Sequence, residues 1–290
     1  MVTAADLWQR WDGVVADKVF TAFETLFNGG EDIRSSPSPV TKDWPAVSSP
    51  TVLVTWALLY LAVVSLGLAL ITPAEKRKGA PQSAALKIFV NYHNAWLIVL
   101  SAFMFASSCY QAYVNEYKFW GQAYNAREVG MAKVIYIFYV SKLYEYLDTY
   151  IMLLKGNLKQ VSFLHVYHHL SISLIWWAIA YSAPGGDAWY SAALNSLVHV
   201  VMYMYYYLMG KSSADPTFRK KYLWWGKYLT SFQMTQFVSM LAQGVYTYLY
   251  SDYPKWVSKF LVVYMMTLLV LFLNFFVGKY FGTAGKAKAE

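Results

Sequence analysis

Seven apolar runs recur along the 290-residue chain, at about 51–72, 88–110, 131–154, 161–181, 188–209, 228–250 and 256–280. Each approaches the ~20 residues that an α-helix needs to cross a hydrocarbon core. This repetition leaves few folds open, because peptide groups in lipid must be hydrogen-bonded within a helix or within a closed barrel. No run shows the period-two alternation of a membrane barrel. The expected fold is therefore an all-α membrane protein, a bundle of about seven transmembrane helices. Six or eight spans are the alternatives, since the third and fifth runs are less apolar. Composition agrees: 58% of residues are hydrophobic and 14% charged, a balance that soluble domains of this length rarely show.

The expected organisation is an N-terminal segment 1–50, one transmembrane domain 51–280 and a basic tail 281–290. No basic stretch followed by an apolar run and a small-residue cleavage site opens the chain, so the first span is expected to do the targeting. Within 1–50, Leu7, Trp8, Trp11, Val14, Val15, Val19, Phe23 and Leu26 recur at helical spacing. Such a stripe fits an amphipathic helix in the membrane interface; a helix packed on the bundle is the other reading. Prolines at 37–50 point to an extended approach to the first span. The net charge of +8 is informative through its placement, and no nucleic-acid partner is expected. Basic residues gather at Lys76, Arg77, Lys78 and Lys87, at Lys155 and Lys159, at Lys211, Arg219, Lys220, Lys221 and Lys227, and at Lys279, Lys286 and Lys288. The positive-inside rule then puts the N-terminus in a lumen and the C-terminus in the cytosol. Cys109 is the sole cysteine, which excludes an intrachain disulfide, and it falls toward the luminal end of its span.

Loops this short leave catalysis to side chains on the helices. Ionisable residues inside a span cost ~2.5–3.5 kcal/mol each at the helix centre on insertion scales, so they usually face the bundle interior and mark function. Four helical stripes carry them. Lys142, Glu145, Asp148 and Thr149 share one face of the third span; His165, His168 and His169 share one face of the fourth. Asn195, His199, Met202, Tyr203 and Tyr206 lie near one stripe of the fifth, and Thr230, Gln233 and Gln236 follow on the sixth. With alternating span direction all four stripes fall in the cytosolic half, which fits one buried polar site beneath an apolar, aromatic-lined bundle. Structural readings stand beside these: an ion-pair network for Lys142, Glu145 and Asp148, and interhelical hydrogen bonding for Gln233 and Gln236. His93 falls at the same depth but is isolated in sequence and reads as a hydrogen-bonded packing histidine.

The stripes spell KxxExxDT, LHxxHH, NxxVHxxMYxYY and TxxQxxQ in that order, through Leu164, Val198 and Tyr205 as well as the residues above. This set resembles the fatty acid elongase family, the membrane 3-ketoacyl-CoA synthases, from about Ala46 onward. QVSFLHVYHH, SISLIWWAIA, APGGDAWYSAALNS and KYLWWGKYLT look most like the green-algal and moss branch that elongates C18 delta-6 polyunsaturated chains. Leu170 departs from that pattern, where such relatives carry a smaller or polar residue. The KAKAE end resembles a coatomer-read retrieval signal, which implies a multi-pass protein of the endoplasmic reticulum membrane.

The resemblance implies condensation of an acyl-CoA with malonyl-CoA, releasing CO2 and CoA, with no cofactor or metal beyond these substrates. The implied partners are membrane lipid, the ketoacyl-CoA reductase, dehydratase and enoyl-CoA reductase of the same cycle, and a second copy of the chain. The expected catalytic set is His168, His199, His165, His169, Asn195, Asp148, Glu145 and Lys142. The expected substrate-binding set is Gln233, Gln236, Thr230, Tyr203, Tyr206, Lys211, Arg219, Lys220 and Lys221. With Cys109 on the wrong side, imidazole is the available nucleophile; a direct ternary reaction is the alternative. Two other classes fit parts of the pattern: a di-iron desaturase or hydroxylase, for which five histidines are few, and a seven-helix lipid receptor or transporter.

Overall fold

The computed structural model describes residues 3–26, 33–73, 83–212 and 216–280. Lys76, Arg77, Lys78, Lys286, Lys288 and the 281–290 tail lie outside the described residues. Among the described residues the architecture is all-helical: α1 (Ala4–Leu26), α2 (Pro50–Leu70), α3 (Ala84–Val114), α4 (Val129–Tyr144), α5 (Tyr146–Lys155), α6 (Phe163–Ser182), α7 (Ala188–Lys211), α8 (Pro216–Tyr222), α9 (Leu229–Tyr250) and α10 (Lys255–Tyr280). The long helices coincide with the apolar runs. By length and composition α2, α3 and α10 are each apolar enough to cross a membrane. The helices that carry the polar stripes are less apolar, as a bundle interior built around ionisable groups requires.

One run differs from its expectation. Residues 131–154 were expected to form a single helix, and the structure breaks it at Glu145, between α4 and α5. The Asp148 N–H bonds the Glu145 carbonyl three residues back (3.0 Å), a tighter turn than an α-helix makes. No proline or glycine lies at the break. What lies there is the buried Lys142–Glu145 pair, so the interruption coincides with the polar centre.

Local chemistry then sets the turn from α5 into α6. Gly156 adopts a left-handed conformation (φ 71°). Its N–H bonds the Leu153 carbonyl (2.8 Å) and the Asn157 N–H bonds the Met152 carbonyl (2.9 Å), the paired bonds of a Schellman cap. Six residues on, the Ser162 hydroxyl accepts from the His165 N–H (3.3 Å) and caps the N-terminus of α6. The two caps fold α6 back on α5 and set Thr149 opposite His165. The same device starts α2, where the Ser49 hydroxyl accepts from the Thr51 N–H (3.2 Å) ahead of Pro50.

At the end of the bundle opposite His165, the chain before α2 is far more integrated than an extended approach implies. Ile33, Ser38, Thr41 and Val47 are buried. The Ser38 N–H bonds the Tyr181 carbonyl (2.7 Å), Trp177 Nε1 donates to the Val47 carbonyl (3.2 Å) and the Tyr139 hydroxyl to the Ala46 carbonyl (2.9 Å). Ala46 holds a positive φ of 60°, a conformation that costs a non-glycine residue ~1–3 kcal/mol and that these contacts enforce. Helix α1 lies across the same end. Its C-terminal half packs Phe20 and Phe23 against Trp177, Tyr181 and Phe260, while Leu7, Trp8, Trp11 and Val14 remain exposed. The C-terminal half of α1 thus packs on the bundle, as one of the two sequence readings has it.

Buried Asp187 fastens the loops at this end. Its carboxylate accepts from the Gly121 N–H (2.9 Å) and the Thr247 hydroxyl (2.9 Å), and its carbonyl accepts from Gln243 Nε2 (2.9 Å). Neighbouring Gly186 has φ 51°, and a Cβ there would stand 2.8 Å from the Gln122 carbonyl oxygen. Only glycine fits this approach.

Candidate active site

The polar stripes meet at the histidine end of the bundle. Its centre is Lys142, fully buried on α4. The ammonium donates to Glu145 Oε1 (2.7 Å) and to Asn195 Oδ1 of α7 (3.1 Å), and it lies 4.2 Å from the centroid of the Phe138 ring. Glu145 Oε1 is also 3.5 Å from His199 Nδ1 on α7. A single carboxylate thus neutralises the cation and faces an imidazole. Burying this pair is tolerable only because each ion finds a partner at close range.

A second line of contacts runs through the start of α5. Both oxygens of the Asp148 carboxylate are engaged: Oδ1 stands 2.7 Å from His93 Nε2 of α3, and Oδ2 accepts the Tyr203 hydroxyl of α7 (2.6 Å). The Thr149 hydroxyl sits 2.9 Å from the Tyr60 hydroxyl of α2 and 2.8 Å from His165 Nε2 of α6. The His165 and His169 ring centroids are 4.4 Å apart, and those of His168 and His169 are 5.4 Å apart. His199, Glu145, Lys142 and His165 lie within electrostatic reach of His168. Six helices thus contribute to one chamber.

Several of its atoms keep bonding capacity. Glu145 Oε2, His169 Nδ1 and His199 Nδ1 are buried without a hydrogen-bond partner, and among the described residues the His168 ring has none either. Buried polar atoms in proteins are rarely left unpaired, and exceptions point to catalytic or ligand-binding roles. Among the described residues no group of three or more His, Cys, Asp and Glu side chains has the arrangement of a metal centre.

An apolar cavity lies between α6, α7, α9 and α10. Ile172, Ile175, Trp176 and Ile179 form its α6 wall and Asp187 lies at its far limit. Ile172 is one helical turn beyond His168 and continues the same face of α6. Imidazoles and apolar cavity therefore share one helical stripe.

Not every expected residue reaches the chamber. Gln233 Nε2 lies 3.5 Å from Met202 Sδ, and Gln236 Nε2 lies 3.4 Å from Met240 Sδ; neither amide bonds a histidine. Thr230 is buried at the start of α9. Tyr206 packs edge-on against Tyr203 (6.1 Å) with its ring half exposed. Lys211, Arg219, Lys220 and Lys221 are exposed on and around α8. Cys109 lies sixteen residues beyond His93 on α3, ~24 Å along the helix axis. His93, read from the sequence as a hydrogen-bonded packing histidine, is buried, stacks on Phe89 and Tyr144, and bonds Asp148. Tyr60 and Tyr146 were passed over: their rings stack at 4.3 Å and both stand within 6.5 Å of His169. Twenty-six tyrosines made these two indistinguishable from the rest.

Comparison with known proteins bears on the same residues. The chain is 35% identical over 245 residues to the human protein named very long chain fatty acid elongase 4, an alignment covering 82% of this chain and 74% of that one. It is 35% identical over 272 residues to very long chain fatty acid elongase 5 of Xenopus tropicalis, covering 92% and 85%. To the protein of that name from Tachysurus fulvidraco it is 33% identical over 254 residues, covering 86% and 82%. The sequence profile of the GNS1/SUR4 family, ELO, matches residues 45–288. A match of that extent includes every helix of the chamber and all four polar stripes, and the chain belongs to the ELO family.

Proposed function

We propose that this protein is a condensing enzyme of fatty acid elongation, a 3-ketoacyl-CoA synthase that joins a fatty acyl-CoA to malonyl-CoA. The observation that carries this reading is the meeting of His165, His168, His169 and His199 around the buried Lys142–Glu145 pair, one turn from an apolar cavity. Acyl condensation needs a nucleophile or base for the thioester, donors for a developing oxyanion and a place for a long tail. The histidines suit the first, the Asn195 amide suits the second, and the apolar cavity lies where a path for the third would begin.

In the favoured sequence His168 attacks the thioester carbon of the acyl-CoA. The carbon–sulfur bond breaks, CoA leaves as its thiol and the acyl group remains on imidazole. Malonyl-CoA then loses CO2, and the electron pair of that bond becomes an enolate. Its carbon attacks the acyl carbon, the carbon–nitrogen bond breaks, the departing His168 nitrogen takes up a proton from water, and a 3-ketoacyl-CoA two carbons longer is formed. His165, held by Thr149, and His199, facing Glu145, serve as base and orienting partners. Lys142 keeps Glu145 and Asn195 in register, which leaves the Asn195 amide nitrogen as a candidate donor to oxygen. The resemblance to delta-6 enzymes supports a polyunsaturated C18 chain as the substrate. Basic residues around α8 support an orientation in the membrane with the histidine end toward the cytosol. Lys211, Arg219, Lys220 and Lys221 are then placed to meet CoA phosphates, and the other enzymes of the cycle to take up the product.

The test is expression in a host lacking this activity, fed C16 to C22 acids, with products read by gas chromatography. Beside it, His168→Ala is assayed with labelled malonyl-CoA, and intact mass is used to look for an acyl adduct. Loss of both incorporation and adduct supports the acyl-imidazole. Loss of incorporation with an adduct retained points to the ternary reaction, and normal turnover removes His168 from the mechanism. Stoichiometric iron in active purified protein would favour the desaturase class instead.

A further inference from the structure

We propose that His93, outside all four motif stripes, is a positioning residue of the condensing site. It acts through Asp148, which it holds so that the second carboxylate oxygen anchors Tyr203 beside His199. The inference rests on the reading of the histidine chamber as that site.

The His93 side chain has no exposed surface, and its two nitrogens are both engaged. Nε2 lies 2.7 Å from Asp148 Oδ1 and Nδ1 lies 3.3 Å from the Tyr144 hydroxyl. With a carboxylate at Nε2, that nitrogen carries the proton and donates, and Nδ1 is left to accept from Tyr144. The ring is further clamped between Phe89 and Tyr144, both stacked at 27° with centroids at 6.1 and 5.4 Å. Packing alone would be served by any flat apolar ring in this slot. A bond to a carboxylate is not needed for it, and placing a carboxylate here carries a desolvation cost.

What the carboxylate does on its other side gives the bond a purpose. Asp148 Oδ2 takes the Tyr203 hydroxyl at 2.6 Å, and the Tyr203 ring presents its edge to His199 at 5.6 Å. The line His93–Asp148–Tyr203 therefore joins α3, α5 and α7 and ends against an imidazole of the chamber. Asp148 directly precedes Thr149, whose hydroxyl bonds His165, so a turn of Asp148 also shifts the support of a second histidine. Such outer partners fix ring orientation without touching substrate, and a displacement near 1 Å at reacting groups lowers rate by up to ~100-fold.

The test compares three variants by malonyl-CoA condensation in detergent-solubilised full-length protein. His93→Phe keeps the flat ring and loses both bonds; its kcat is expected to fall about tenfold or more with KM within about threefold. His93→Gln places an amide N–H near the former Nε2 and is expected to recover most of that kcat. His93→Asn reaches only the former Nδ1 position and is not. Because His93→Phe can fail to accumulate, the Gln-against-Asn contrast stands as an independent measure, and loss of the contrast in an Asp148→Asn background is the third expectation. Wild-type kcat in His93→Phe, or equal kcat in the Gln and Asn variants, overturns the positioning role. A His168→Ala control separates the readings: full condensation by it overturns the site and this inference with it. An inactive His168→Ala beside an unaffected His93→Phe overturns only the role of His93.

Discussion

Glu145 Oε1 is shared between two basic side chains: it lies 2.7 Å from Lys142 Nζ and 3.5 Å from His199 Nδ1. The carboxylate sits at the break between α4 and α5, so the geometry of the backbone and the charge balance of the site depend on one side chain.

Removing that side chain alone leaves the ammonium uncompensated. Glu145→Leu is expected to cost ~3–5 kcal/mol of stability, read as a large drop in the melting temperature of the purified protein. The double variant Lys142→Met with Glu145→Leu is expected to regain most of that loss, since an apolar pair of similar volume often replaces a buried ion pair without penalty. Condensation is expected to stay absent in both. Recovery of activity in the double variant would show that the pair serves the fold alone.

Thr149→Val removes one hydroxyl and leaves shape unchanged. The Tyr60 hydroxyl and His165 Nε2 then lose their shared partner, a cost of ~1–3 kcal/mol for buried groups left unbonded. Activity is expected to fall further than stability, because His165 is freed to rotate. Thermal unfolding measured beside single-turnover kinetics separates the two effects.

Gly156→Ala tests the Schellman turn that returns α6 toward α5. A Cβ at φ 71° is expected to destabilise the protein by ~1 kcal/mol, and the strain falls on the segment that leads to His165. A matching substitution at exposed Gly13, which has open space around its Cβ position and lies within α1, is expected to stabilise slightly. Thermal melts of the two variants should move in opposite directions.

Ser191→Phe places a ring in the far part of the apolar cavity, whose wall Ser191 shares with Ile179 and Gln243. The longest product is expected to become shorter while turnover of shorter acyl chains persists. Gas chromatography of products from a mixed feed checks this, and an unchanged product range would mean that the tail lies elsewhere.

What was legible in the sequence follows from how each contact is encoded. Hydrophobic period and run length place the long helices within a few residues, because lipid imposes a single rule on every span. His165, His168, His169 and His199 are legible because ionisable residues within apolar runs are rare and their helical spacing is visible. The partner of His93 was not legible, since Asp148 is 55 residues away and nothing local marks the pairing. The break at Glu145 carries no glycine or proline to announce it. Gln233 and Gln236 share the helical spacing of the histidine and carboxylate stripes, and the structure sets their amides beside methionine sulfur. The inserted segment before α2 was hidden for another reason: Trp177 and Tyr139 bond main-chain carbonyls of Val47 and Ala46, and a carbonyl has no letter in the sequence.

The bond from Trp177 to the Val47 carbonyl spans 130 residues, and this separation sets a timetable for biogenesis. At translation rates of about 5–20 residues per second, the ribosome needs roughly 7–26 s to deliver the indole after the carbonyl has emerged. Throughout that interval the segment ahead of the first span has no tryptophan to dock on, so it must wait, unsettled, while the later spans are threaded into the bilayer. The arrival of α6 is the event that lets this segment dock.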